Sequence, residues 1–279
     1  MQPSSTSADP KRAQVSRDYA GLVQRHSVGC QPPQIDPTGD GRYAPGDLER
    51  VPADAVELSM GCGNPLAFSA VQPGDTVLDL GSGAGLDLIL AARKTGPAGQ
   101  VIGVDMTEAM NARARQNVAQ AGLQNVEVRR GIIEDLPVES ASVDWVISNC
   151  VLNLSPEKHR VFGEVARVLR PGGRLQISDI VIEDVPRWTR WVAGRFSAAI
   201  AWSFAEADYL SGLRAAGLED VAVVVRQRYD ASTLAGFLDA ELSSRGRLTR
   251  LLLRPLARLL ARTAAGRVVS IKVHARRPA

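Results

Sequence analysis

Three glycines at every second position, Gly81, Gly83 and Gly85, follow an apolar run that carries one acid, Thr76-Val77-Leu78-Asp79-Leu80. The chemistry they suit is the holding of a ligand. Glycine admits positive φ and lets backbone approach a bound group where a Cβ would collide. The helical stretch from Leu86 to Ala92 follows at once, and the N-terminus of such a helix attracts the polar groups of a nucleotide-like ligand. Asp105 ends a second apolar run about 20 residues beyond the last glycine, where a doubly wound fold places its ribose-binding carboxylate. The other reactive side chains are three cysteines, Cys30, Cys62 and Cys150. Cys62 stands between two glycines ahead of the glycine loop, and Cys150 ends an apolar run, Val143 to Ser148. Each cysteine reads as a small core hydrophobe or as a working thiolate. The histidines are only His26, His159 and His274, none beside a cofactor motif, so a carboxylate or tyrosine is left as the alternative general base.

The elements that must position these residues alternate regularly. Strands are expected at Thr76–Leu80, Val101–Asp105, Val126–Arg129, Val143–Ser148 and Arg174–Ile182. Helices are expected at Leu86–Lys94, Glu108–Ala121 and Glu157–Leu169, with a turn at Pro171-Gly172-Gly173. Such βα alternation requires a parallel sheet covered on both faces. The carboxyl edge of that sheet, where ligands of open α/β sheets bind, is where Cys150 falls. Downstream lie a helix Ala205–Ala216, a strand Val221–Val225, a helical stretch from about Ser232 to Leu260 and a last strand Val268–Val273. Upstream, residues 1–13 read as disordered, Val15 to His26 has a mild helical pattern (Val15, Tyr19, Leu22, Val23), and Asp36 to Asp47 reads as loop. The expected organisation is a tail over 1–13, an N-terminal extension with the first thiol motifs over 14–70, a cofactor-binding core over 71–185, and a substrate-side, sheet-completing region over 186–279.

With 279 residues, 45% of them hydrophobic, the chain is long enough to bury a full core. No run approaches the ~18 apolar residues of a membrane span and the Ser-rich start lacks an apolar signal region, so a soluble, cytoplasmic protein is expected. Three cysteines in a chain this long do not make a disulfide scaffold, and their odd number suits a reducing compartment. The net charge of +3 conceals an asymmetry: ten of the 33 bases follow Glu241, where no acid occurs, so the preceding chain carries 23 bases against 30 acids. Arg250, Arg254, Arg258 and Arg262 recur every four residues among leucines, as on an amphipathic helix with Pro255 inside it. A solvated helix covering the sheet is the favoured reading of this stretch, contact with an anionic membrane surface the sharper one. Nucleic acid is not expected, because no aromatic residues interleave these arginines.

The stretch Val77-Leu78-Asp79-Leu80-Gly81-Ser82-Gly83-Ala84-Gly85 resembles motif I of the class I S-adenosylmethionine (SAM) methyltransferases, and the resemblance runs from about Asp75 to Ile182. It implies a Rossmann-like α/β fold with a doubly wound, mainly parallel seven-stranded sheet completed by a final antiparallel strand, here with an N-terminal extension and a helical C-terminal insertion. It implies SAM as cofactor, with contacts from Asp79, Gly81, Gly83, Asp105, Met106, Glu134 and Asn149; Glu134, with the backbone of Ile132 and Ile133, would receive the adenine amino group. Three further stretches, Gly61-Cys62-Gly63-Asn64-Pro65, Asp105-Met106-Thr107 and Ser148-Asn149-Cys150-Val151-Leu152-Asn153-Leu154-Ser155-Pro156, together resemble the arsenite methyltransferases. By that resemblance Cys30, Cys62 and Cys150 would bind trivalent arsenic as substrate. Arsenite is soft and thiophilic, and a pyramidal trithiolate leaves arsenic a lone pair with which to attack a sulfonium methyl group in line. A thiol reductant such as glutathione or thioredoxin is then an expected partner.

One position departs from the family. A further arsenic-binding cysteine is expected in the helix after the fifth strand, and the corresponding segment, Trp191 to Ala199, carries Arg195 there. Methylation of a different small metabolite is the alternative, since an arginine facing a pocket suits a carboxylate or phosphate. A non-catalytic SAM-binding protein is a third reading.

Overall fold

The computed structural model describes residues 10–25, 43, 45–59, 61–184, 203–243 and 247–279. Cys30, Arg195 and His26 lie outside the described residues. Seven strands form one sheet: β1 (Thr76–Leu80), β2 (Gln100–Asp105), β3 (Val126–Arg130), β4 (Val143–Asn149), β5 (Leu169–Ile182), β6 (Glu219–Arg228) and β7 (Val268–Arg276), in the order β3-β2-β1-β4-β5-β7-β6. The first five run parallel to one another, and β7 is antiparallel to both β5 and β6. The seven-stranded, mainly parallel sheet is therefore as expected, including the final antiparallel strand.

Side-chain alternation explains why β1, β2 and β4 read as unbroken apolar runs. Val77, Val101, Trp145 and Ile147 pack on one face, with α3 (Leu86–Thr95) and α4 (Glu108–Gln120). Leu78, Leu80, Ile102, Val104 and Val146 pack on the other, with α5 (Lys158–Val168) and α6 (Glu206–Ala215). Both faces are covered, so neither needs polar positions. In α5 the buried residues are Val161, Phe162, Val165 and Val168, a helical stripe. The chain passes from β1 outward through β2 and β3, then returns to the other side of β1 with β4. This reversal opens a crevice at the carboxyl ends of β1 and β4, between the glycine loop and Cys150.

Several boundaries differ from the expected ones. Helix α1 spans Pro10–Arg25, so it begins inside the segment expected to be disordered. Proline is suited to a first helical turn, and tertiary contacts, absent from any local pattern, hold the helix: Val15 and Val23 are buried, the latter against Leu58, Ala84 and Met110. A short helix α2 (Ala53–Glu57) follows. In the C-terminal half the single helical stretch is two helices, α7 (Ala231–Ser243) and α8 (Arg247–Ala264). They share a small core with Ile182, Tyr229 and Val268. Leu256, Arg258, Leu259 and Arg262 of α8 are exposed, while Ala257, Leu260 and Ala261 are buried and Arg254 pairs with Asp239 at 3.3 Å. Strand β5 also begins earlier than expected: Leu169 pairs with Val143 and Arg174 with Trp145, so residues 170–173 bulge from the ladder.

A buried polar knot joins β5 to the helical layer. Asp179 Oδ1 accepts hydrogen bonds from Asn153 Nδ2 (2.7 Å) and the Ile180 amide (2.8 Å), and Oδ2 accepts one from the Tyr209 hydroxyl (3.3 Å). Asn153 in turn accepts the Phe204 amide at 3.2 Å. Burial pushes the Asp179 carboxyl up to about 7, against these hydrogen bonds. A folded-state value above the ~3.9 of an unfolded aspartate means that the native protein binds more protons, so stability rises as the pH falls through 7. The urea midpoint of the ligand-free protein should therefore be higher at pH 6 than at pH 8. Asp179→Asn should raise the midpoint at pH 8 and shrink that difference; an unchanged pH dependence would contradict the assignment.

Candidate active site

The glycine loop closes tightly on β2 and β4. The Gly81 and Ser82 amides both donate to the Val104 carbonyl, at 2.7 and 3.2 Å. Gly81 has φ +66°, and a Cβ there would stand 2.5 Å from the Val151 side chain, so no other residue can take this turn. Gly83 also has positive φ, but a Cβ on it would meet no protein atom within 4 Å. The space beside it is the cavity. Asp105 is aimed by two amides: Oδ2 accepts from Gly83 (3.1 Å) and Oδ1 from Thr107 (2.8 Å). Each carboxylate oxygen keeps a lone pair for a ligand hydroxyl.

The same cavity is lined by Asp79, Gly81, Gly83, Asp105, Met106 and Glu134, together with Asn149 and Cys150, so the expected cofactor residues and one thiol share one wall. Its acids are unusual. Burial, then the neighbouring Asp87 and Asp105, push Asp79 well above the usual carboxylate range. Burial raises Asp87 to about 6, opposed by hydrogen bonds from Asn149 Nδ2 (3.1 Å) and the Tyr43 hydroxyl (2.7 Å). Burial also raises Asp105, against the amides that hold it. A cluster of three carboxyls raised by burial is complementary to a cation. SAM carries its positive charge on a sulfonium and an amine, and has ribose hydroxyls for Asp105, so this donor set fits it.

Glu134 is almost wholly buried and accepts hydrogen bonds at Oε1 from Ser155 Oγ (2.6 Å) and Arg12 Nε (3.2 Å). Arg12 also pairs with Glu157. Neither Arg12 nor Tyr43 was legible as a site residue: one lies in the segment expected to be disordered, the other in a Gly/Pro/Asp-rich stretch that reads as loop. The only local signal was the Val15, Tyr19, Val23 spacing of the helix that carries Arg12.

The thiols meet across the end of β4. Asn149 Oδ1 accepts the amides of Cys62 (2.9 Å) and Gly63 (3.3 Å), and its Nδ2 donates to the Gly63 carbonyl (2.6 Å) and the Tyr43 hydroxyl (3.2 Å). The flanking glycines are required by contact: a Cβ on Gly61 would lie 2.2 Å from Asn149 Nδ2, and one on Gly63 would lie 2.2 Å from Ser178 Oγ. Cys62 and Cys150, 88 residues apart in sequence, form a disulfide with a Cα–Cα distance of 6.0 Å. This corrects the expectation of unpaired cysteines, and the cause is tertiary, since Asn149 draws the 61–63 loop onto the strand end that Cys150 continues. Asn149, expected to contact the cofactor, lines the cavity, but its amide is engaged by the thiol loop, Tyr43 and Asp87. Ser178 Oγ stands 3.8 Å from Cys62 Sγ, and Ser270 Oγ contacts the Cys62 carbonyl at 3.4 Å.

Two outcomes follow for cofactor binding. Asp105→Ala should weaken SAM about tenfold or more in calorimetry, the loss expected for charge-assisted hydrogen bonds. Binding of a cation also favours ionised carboxyls, so protons must leave when the pH is below the raised values. SAM affinity should fall as the pH drops from 8 to 6, with buffer-dependent heats reporting proton release. A flat affinity over this range, without buffer dependence, would contradict the acid-cluster reading.

Known proteins resemble this chain in sequence and fold. The methyltransferase domain family matches residues 71–211, just over half of the chain. An arsenite methyltransferase of Halobacterium salinarum is 50% identical over 190 residues, covering 62% of this chain and 48% of that protein. A demethylmenaquinone methyltransferase of Listeria monocytogenes is 35% identical over 147 residues, 50% of this chain and 62% of that protein. Among solved structures, an arsenic(III) S-adenosylmethionine methyltransferase from Chlamydomonas reinhardtii superposes with a TM-score of 0.64 at 30% identity, over 84% of this chain and 72% of that one. The chain spans about half the length of the arsenite methyltransferase it matches. It belongs to the methyltransferase domain family, as an arsenite methyltransferase-like member of the class I SAM-dependent methyltransferases.

Proposed function

We propose that the chain methylates trivalent arsenic held by the thiolates of Cys62 and Cys150, with Cys30 as third ligand. The observation that carries this reading is the meeting of two cysteines, sulfur to sulfur, at the wall of the cofactor cavity. Two thiols that close can chelate one soft ion, and packing alone requires no such pair. The names of the relatives at 50% and 30% identity support it.

The disulfide must first accept two electrons and two protons from a thiol reductant such as glutathione or thioredoxin, leaving a dithiol. Arsenous acid then exchanges its hydroxyls for thiolates, releasing one water per sulfur bound. Asn149 fixes the backbone of the 61–63 loop, so Cys62 is positioned before arsenic arrives. SAM, when bound, supplies an electrophilic methyl group on a sulfonium sulfur. Arsenic brings its own lone pair as nucleophile, so the chain need hold no general base. Its residues instead bind, orient and exclude water: Asp105 takes the ribose, Glu134 the adenine end, and the acids at Asp79 and Asp87 complement the cationic end. No described helix is long and apolar enough to cross a membrane, and this reading places the protein in the reducing cytoplasm, where the dithiol persists.

Purified protein with SAM, glutathione and arsenite should yield methylated arsenic on speciation. Cys62→Ser and Cys150→Ser should each abolish it while SAM affinity stays within a few-fold. Cys30→Ser should have the weaker effect, since glutathione can replace its sulfur. Arg195→Cys restores the cysteine of the family pattern and should raise arsenite turnover or leave it unchanged. A protein inert to arsenite in both wild-type and Arg195→Cys forms would favour another small metabolite as acceptor.

A further inference from the structure

We infer that α1 is the roof of the cofactor cavity and that Arg12 is the latch that holds it shut. Arg12, Val15, Tyr19 and Val23 fall at i, i+3, i+7 and i+11, one face of a helix. The first three line the same cavity as the glycine loop, Asp105 and Glu134. The fourth packs with Ala84 of the glycine loop and Met110 of α4. One stripe of an N-terminal helix thus meets the cofactor site along its length, although nothing in the local sequence marks it as part of that site.

The latch is ionic. Glu134 is almost wholly buried, and Arg12 is held between its carboxylate and that of Glu157. Ser155 ties the two acids together: its Oγ donates to Glu134 and accepts the Glu157 amide at 3.0 Å. Arg12 therefore clamps α1 both to the loop after β3, at Glu134, and to the turn at Ser155–Glu157. The planar fork of arginine can engage two carboxylates at once, and lysine cannot reproduce that geometry. Glu157 does not line the cavity, so its part in the clamp can be separated from any contact with the cofactor.

Entry and exit of the cofactor then require Arg12 to leave its acids and α1 to lift. Arg12 is a positioning residue, acting on the cofactor through Glu134 and through the closure of α1. Closing the latch lengthens cofactor residence. Its loss speeds release more than entry, because most changes at one interface are expressed in the off-rate.

Stopped-flow binding of SAM to the full chain tests this. Glu157→Gln and Arg12→Ala should each raise the dissociation rate, Arg12→Ala about tenfold, with association unchanged or faster. Arg12→Lys should restore only part of the residence time, and added salt should accelerate release from the wild type more than from Arg12→Ala. Hydrogen exchange should show amides of residues 10–25 gaining protection on SAM binding in the wild type and losing that gain in Glu157→Gln. Where Arg12→Ala fails to fold because Glu134 is left buried without its partner, Glu157→Gln decides alone. A folded Glu157→Gln protein with wild-type dissociation and wild-type protection of α1 would overturn the latch.

Discussion

The amide of Asn149 is the interaction on which the site depends. It ends β4 at the point where the strand order reverses, and its side chain reaches both Asp87 of α3 and the thiol loop. Its oxygen accepts two amides of the 61–63 loop, and its nitrogen faces Gly63, Asp87 and Tyr43. An amide has two lone pairs and two hydrogens, so this side chain is fully used. Removing it would strand several buried partners, each at about 1–3 kcal/mol. The thiol loop, Tyr43 and Asp87 of the cofactor cavity are thus parts of one hydrogen-bonded unit.

The electrostatics of that unit are costly in the ligand-free protein. Asp79, Asp87 and Asp105 lie close enough to the same cavity that burial raises all three. Such an arrangement disfavours the charged forms until a cation arrives. Glu134, by contrast, is paired with Arg12, so the unbalanced acids of the cavity are Asp79, Asp87 and Asp105.

Much of this was legible because it is local. The alternation of β1 and β2, the three glycines and the acid at Asp105 follow from strand burial and turn stereochemistry, and those features were read where they stand. What escaped depended on long-range contact. Arg12 lies in a Lys/Arg-rich segment with few apolar residues, which carries no sign of the acids it meets in the fold. Tyr43 lies in a stretch with the composition of a loop, and its hydroxyl bonds with Asp87 and Asn149 show its place. The pairing of Cys62 with Cys150 could be expected as a shared ligand set only through resemblance, since their separation says nothing of proximity. For Asn149 the sequence locates the strand end, but not the direction of its amide toward the 61–63 loop, Tyr43 and Asp87.

Arsenic absorption spectroscopy on the reduced protein, combined with alkylation mapping, tests the central claim most directly. One equivalent of arsenite should give an arsenic edge and fine structure typical of sulfur coordination, while Cys62 and Cys150 become resistant to alkylation together. Arsenite that keeps oxygen ligands, with both cysteines still open to alkylation, would contradict the account and return the thiol pair to a purely structural role.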